Sequence, residues 1–133
     1  MTATNDEILQ LTHRLLVAIF RGDWATYTEL CAEDITAFEP EAKGHLVEGL
    51  PFHQNYFPSK PTPAKRPGEE PTITISSPSI RVMGDAALIA YVRLVQSKDD
   101  AGNHRTSATE ETRVWQRVKG AWKHVHFHRS PIL

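Results

Sequence analysis

Residues 113–129 read RVWQRVKGAWKHVHFHR: two runs of alternating apolar and polar residues on either side of Lys119-Gly120. How they pair decides which side chains face the interior. In a regular strand successive side chains point to opposite faces, so His124, His126 and His128 share one side. With Lys119-Gly120 as a two-residue loop, Arg113 pairs near His126 and faces with the histidines, while Arg129 faces the other way. With Val118-Lys119-Gly120 as a three-residue loop, Gly120 takes the left-handed position of a bulged turn. Arg113 then lies opposite Val125 and shares a face with Phe127 and Arg129, and the histidines go to the other face with Val114, Gln116 and Trp122. A slip of one residue exchanges the faces. A glycine in third place favours the three-residue loop.

Outward from this hairpin the pattern repeats. TITISSPSIRVM, ALIAYVRLVQ and TEETRVWQRV are strand candidates that precede WKHVHFHR, with breaks at Gly84-Asp85, Lys98 to Asn103 and Lys119-Gly120. Before them, PSKPTPAKRPGEEP (Pro58 to Pro71) is proline-rich, polar and without period, which marks a long loop. LPFHQNYF (Leu50 to Phe57) reads as a short helix with Pro51 in its first turn, and ITAFEP as a short strand ending at a proline. The N-terminal segment carries Ile8, Leu11, Leu15, Leu16 and Ile19 at helical spacing. Thr4 and Glu7 suit a capping box, and Gly22 a stop. Asp23 then caps a second short helix, WATYTELC. Helices first and consecutive strands afterwards indicate an α+β domain whose antiparallel sheet curls around the helices.

The 133 residues suit one domain, 1–133, with a core of its own. A net charge of -1, with acids and bases mixed along the chain, excludes the basic surface that nucleic acid or an anionic membrane requires. Cys31 is the only cysteine, so neither an internal disulfide nor a cysteine-based metal cage forms. The chain has no apolar stretch long enough for a bilayer and no signal-peptide pattern, which leads to the expectation of a cytoplasmic protein.

Three constellations carry possible chemistry. Arg93 interrupts the apolar strand ALIAYVRLVQ, where a guanidinium requires a carboxylate, a ligand anion or water. With Arg113 and Arg129 on the same concave face, three guanidiniums converge there, and their forked donors match a carboxylate. Glu111 shares Arg113's strand face and is the better pairing candidate of Glu110 and Glu111. The second constellation is acid–base: His53, Glu39, Glu41, Glu48, Tyr56 and Tyr91 supply general-base candidates, although cationic neighbours weaken a carboxylate as a base. The third is His124, His126 and His128 as a metal site. Along an extended strand the first and third lie about 13 Å apart, too far for one ion, so no metal and no cofactor is expected. Trp24 and Tyr27 read as packing residues, and Cys31 as a small buried hydrophobe.

The runs TAFEPEAKGHLVEGLPFHQNYF, IAYVRLVQ, RTSATEETRVWQR and WKHVHFHRS resemble the association (hub) domain of calcium/calmodulin-dependent protein kinase II, over about Glu7 to Ser130. The resemblance implies the cone-shaped nuclear transport factor 2-like fold, a curved antiparallel sheet wrapped on a long N-terminal helix. It also implies a homo-oligomer with a dimer as minimum unit, and a polar cavity able to hold a small carboxylate. Carried over by motif, the cavity residues are Arg93, Arg113, Arg129 and His53, with Tyr91 beside them. The Pro58 to Pro71 segment departs from the family's loop. The chain starts on the hub helix and shows no glycine-rich phosphate loop, HRD or DFG element, so kinase activity is not expected.

Two functions follow as expectations. One is a stand-alone assembly module with a small-anion pocket, whose interface uses the outer sheet face through Trp122, Val114, His124 and His126. The alternative is a small isomerase-, dehydratase- or cyclase-like enzyme of the same fold. On the first reading, Arg113→Ala weakens carboxylate binding without unfolding the domain, and Trp122→Asp alters assembly more than cavity binding.

Overall fold

The computed structural model describes residues 3–54, 57 and 70–132. Tyr56 and most of the Pro58 to Pro71 segment therefore lie outside the described residues. Helix α1 (Ala3–Arg21) buries Ile8, Thr12, Leu15, Leu16 and Ala18, the stripe its spacing predicts. It starts at Ala3, so Thr4 lies within the first turn instead of preceding it as a cap. Gly22 stops the helix at a φ of 66°, which a glycine adopts without a Cβ penalty. Asp23 then caps α2 (Trp24–Leu30): its Oδ1 accepts the Thr26 amide at 3.1 Å and its Oδ2 the Thr26 hydroxyl at 2.6 Å. Those two bonds hold the Asp23 carboxyl below its ordinary pKa.

Two short strands, β1 (Cys31–Phe38) and β2 (Val47–Glu48), and the one-and-a-half-turn helix α3 (Leu50–Gln54) follow. Four long strands complete the chain: β3 (Thr72–Met83), β4 (Ala86–Lys98), β5 (His104–Val118) and β6 (Ala121–Pro131). They form one six-stranded sheet in the order β2-β1-β6-β5-β4-β3, antiparallel except where β1 runs parallel to β6. Helix α1 lies across the face that carries Ala87, Ile89, Trp115 and Phe127, all buried in one cluster with Ile8, Leu15 and Leu16. A polar tie crosses this cluster: Trp115 Nε1 donates to Thr12 Oγ1 at 3.1 Å, and that hydroxyl donates to the Ile8 carbonyl at 2.8 Å. The indole N–H is thereby satisfied inside the core, where leaving it unpaired costs about 1–3 kcal/mol.

The last hairpin differs from the expected one, and the difference fixes the faces. Lys119 and Gly120 have φ of 53° and 81°, and Val118 pairs directly with Ala121, so the loop has two residues with a primed-type turn. The extra residue sits in β6 instead. Trp115 pairs with His124 but Val114 with His126, leaving Val125 as a bulge. Beyond it Arg113 pairs with Phe127, not Val125, and Glu111 with Arg129. Arg113, Phe127 and Arg129 thus share the helix-facing side, as the three-residue loop predicts, by a different device.

The bulge also splits the histidines. His124 and Trp122, expected on the outer face, fall on the helix side and are buried at 0% and 8% exposure. His126 and His128 fall on the outer face. The outward row through His126 is Glu48, Thr36, His126, Val114, Leu88 and Arg81, from one sheet edge to the other.

Candidate functional site

On the helix-facing side the polar residues gather around Glu111. β5 places Glu111 and Arg113 two residues apart on one face, and β4 places Tyr91 and Arg93 beside them, since Tyr91 pairs with Glu111. Glu111 Oε1 accepts from the Tyr91 hydroxyl at 2.6 Å and from Arg113 Nη2 at 2.9 Å. Arg113 Nε donates to the Tyr91 oxygen at 2.8 Å. Glu111 Oε2 meets Arg93 Nη1 at 3.0 Å, and Arg93 Nη2 donates to Thr109 Oγ1 at 3.0 Å. Arg113 lies over the Phe127 ring at 4.6 Å and Arg93 over Phe20 at 5.2 Å.

The electrostatics follow from burial and pairing. Burial alone raises the pKa of Glu111, but the Arg113 and Arg93 guanidiniums outweigh it and hold the carboxylate ionised. Burial works against charge on Arg113, and Tyr91 and Glu111 more than offset it. Tyr91 stays neutral because burial pushes its pKa up. His124 is driven well below its ordinary range, first by burial and then by Arg113. A guanidinium only donates, so the contact of Arg113 Nη1 with His124 Nε2 at 3.4 Å makes Nε2 the acceptor. The proton of the neutral ring then sits on Nδ1, 3.4 Å from Cys31 Sγ. Burial pushes the Cys31 thiol up to about 12, so it is no nucleophile at neutral pH. Two arginines against one glutamate leave the buried cluster with a net charge of about +1.

Arg129 is at the rim. Its Nη2 donates to both Glu41 carboxylate oxygens at 2.6 Å, and this pairing lowers the Glu41 pKa although burial opposes it. All three arginines thus converge on the helix-facing side, and each pairs with a carboxylate of the chain itself. His53 is buried on α3. Its Nδ1–H donates to the Gly49 carbonyl at 3.2 Å, its Nε2 is 3.6 Å from Glu39 Oε1, and its ring packs on Phe127 at 5.6 Å. Of the acid–base candidates, Glu39 is buried beside His53, whereas Glu48 lies in the outward row and cannot reach the cluster. The residue that spacing undervalued is His124, because its burial comes from a bulge that no glycine or proline announces.

The outer face has a different character. Phe38 and Leu46 are 43% and 44% exposed, and Phe38 packs against His126 at 6.2 Å and His128 at 5.5 Å. Beside them a depression of about 640 Å³ is lined by Ser79, Ala90, Thr112 and His128, with Ser77 at a φ of 52° in the β3 bulge. Among the described residues no group of three His, Cys, Asp or Glu side chains is placed to hold a metal, and no helix is long and apolar enough to cross a membrane.

The family model for the calcium/calmodulin dependent protein kinase II association domain matches residues 4–132. The chain is 47% identical over 129 residues to the delta subunit of calcium/calmodulin-dependent protein kinase type II from Oryctolagus cuniculus, covering 96% of this chain and 24% of that protein. It thus spans about a quarter of the length of that curated relative. The association domain of the C. elegans kinase superposes with a TM-score of 0.86 at 40% identity, over 96% of this chain and 95% of that one. The hub homology domain from Chlamydomonas reinhardtii gives 0.86 at 42%, over 98% and 100%. An NTF2-like protein from Cytophaga hutchinsonii, at 19% identity and a TM-score of 0.71, shares the nuclear transport factor 2-like fold. The match falls on an assembly domain and on no kinase catalytic domain. With residues 4–132 matched and the fold in common, the chain belongs to the calcium/calmodulin-dependent protein kinase II association-domain family.

Proposed function

We propose that this chain is a self-assembling hub module, with a dimer as its minimum unit and the outer sheet face as the surface that two copies share. Family membership supports self-association, and the observation that carries the choice of surface is the exposure of Phe38 and Leu46, with Phe38 paired to His128 one row from Val114 and Leu88 on the same face. Exposed aromatic and aliphatic side chains that continue one another across a sheet mark a contact surface, and a two-fold contact requires only one self-complementary patch. Trp122 and His124 lie inside the fold, so the patch centres on Phe38, Val114, His126 and Leu46. Light scattering at micromolar concentration tests the reading: a mass of at least two chains is expected, and a monomer contradicts it. A cytoplasmic location accompanies it, consistent with the free, buried thiol of Cys31.

A second element of the proposal is a small-carboxylate site at the rim of the arginine cluster. Its support is the net positive charge there and Arg93, whose side chain is 12% exposed and whose buried Nε has no hydrogen-bond partner among the described residues. A carboxylate entering beside Arg93 competes with Glu111 and Thr109 for its guanidinium donors, and with Glu41 for those of Arg129. Calorimetric titration with acetate tests it: measurable heat that Arg93→Ala abolishes is expected, and heat unchanged in that variant contradicts the site. Catalysis is the weaker reading, because the best base, His53, is 2% exposed and enclosed by Tyr27, Phe52 and Phe127.

A further inference from the structure

The bulge at Val125 leaves two of the three histidines of β6 on the outer face, two residues apart and both packed near the Phe38 ring. His126 Nδ1 also contacts the Thr36 hydroxyl at 2.7 Å, which fixes the ring against β1. We propose that self-association through this face is gated by protons: His126 and His128 are neutral where two copies meet, and charging them separates the copies. The inference rests on the outer face being the shared surface.

Covering a histidine with a second copy removes water from it and disfavours its charged form. A two-fold contact also brings each histidine pair toward its copy, so repulsion adds to desolvation. His126 already titrates below its ordinary value within one copy, because of partial burial and then the neighbouring His128.

The groups that face this pair from the surrounding strands do not neutralise it. β2 contributes Glu48, beyond Thr36 in the same row, and β1 contributes Asp34, two residues before Thr36. β5 contributes Glu110, one row beyond Thr112 and paired with Ser130. All three carboxylates are exposed, and among the described residues none forms an ion pair with either histidine. β4 presents Leu88, Ala90 and Val92, without charge, and β3 presents Arg81 at the far end of the row.

The sign is fixed by linkage. A group whose pKa is lower in the assembled than in the separated state takes up protons on separation, so acid favours separation. Sedimentation of the whole chain at pH 7.5 and pH 5.5, with circular dichroism at both, tests the proposal. The parent's dimer dissociation constant is expected to rise about tenfold or more at the lower pH, with the spectrum unchanged. The His126→Gln, His128→Gln double variant, whatever its affinity at pH 7.5, is expected to lose the pH dependence, its dissociation constant changing less than about threefold between the two. Equal sedimentation of the parent at the two pH values overturns the proton gate and leaves the interface reading standing. Acid dissociation of the double variant to the same extent as the parent also overturns it. A parent already monomeric at pH 7.5 overturns the interface reading itself, and the gate with it.

Discussion

The two faces of the one sheet use polar residues in opposite ways. On the helix-facing side the arginines pair with carboxylates of the chain itself: Arg93 and Arg113 with Glu111, Arg129 with Glu41. On the outer side His126 and His128 stand among Phe38, Val114 and Leu88, and among the described residues no carboxylate pairs with them. A buried charge without its partner is costly, so the first face resists change. Exposed apolar and titratable groups cost the single chain little and gain a use only when something covers them. Sequence conspicuousness, whether of arginines or of histidines, therefore says less about a residue's role than the face on which the backbone places it.

The contrast breaks hardest at Glu111. Glu111→Ala strands two guanidiniums in the interior, and a loss of about 3–5 kcal/mol of stability in urea denaturation is expected. Arg113→Ala is expected to cost less, because Glu111 keeps Arg93 and the Tyr91 hydroxyl as partners. The full burial of Arg113 and its 2.9 Å contact imply a stability cost in this variant, and the same denaturation curves test the expectation that the domain stays folded. Thr12→Val leaves the Trp115 indole N–H unpaired and is expected to cost about 1–3 kcal/mol in the same measurement. Lowering the pH acts through His124, whose pKa is depressed on folding. Its contribution is complete above the unfolded value near 6.5 and is lost as pH falls below it, by up to about 1.4 kcal/mol per pH unit. His124→Gln is expected to flatten that slope in denaturation curves taken between pH 7 and 5. Gly120→Ala, in the turn at a φ of 81° with open space around the added Cβ, is expected to cost about 1 kcal/mol through backbone strain alone. Val114→Arg, on the outer face, is expected to leave the single chain folded and to lower apparent stability only by what association contributes at that protein concentration.

The α+β class and the strand order of the second half were legible because period-2 alternation and turn residues act locally: TITISSPSIRVM coincides with β3 residue for residue. The pairing of Glu111 with Arg113 was legible for the same reason, as two residues on one face of one strand. The partition of the histidines was not. It depends on a bulge at Val125, a residue with no special backbone preference, and the parallel contact of β1 with β6 shifts register in the same region, between Cys31 and Thr36. That contact joins segments some 90 residues apart, beyond the reach of local pattern. β2 escaped notice because two residues are too short for any period to appear.

The account's central claim is that the helix-facing side holds the domain together while the outer side holds copies together. Sedimentation velocity of Val114→Arg at pH 7.5 beside the parent tests it most directly. The account predicts a monomer with the parent's circular dichroism spectrum, and a variant that sediments with the parent's assembled form contradicts it.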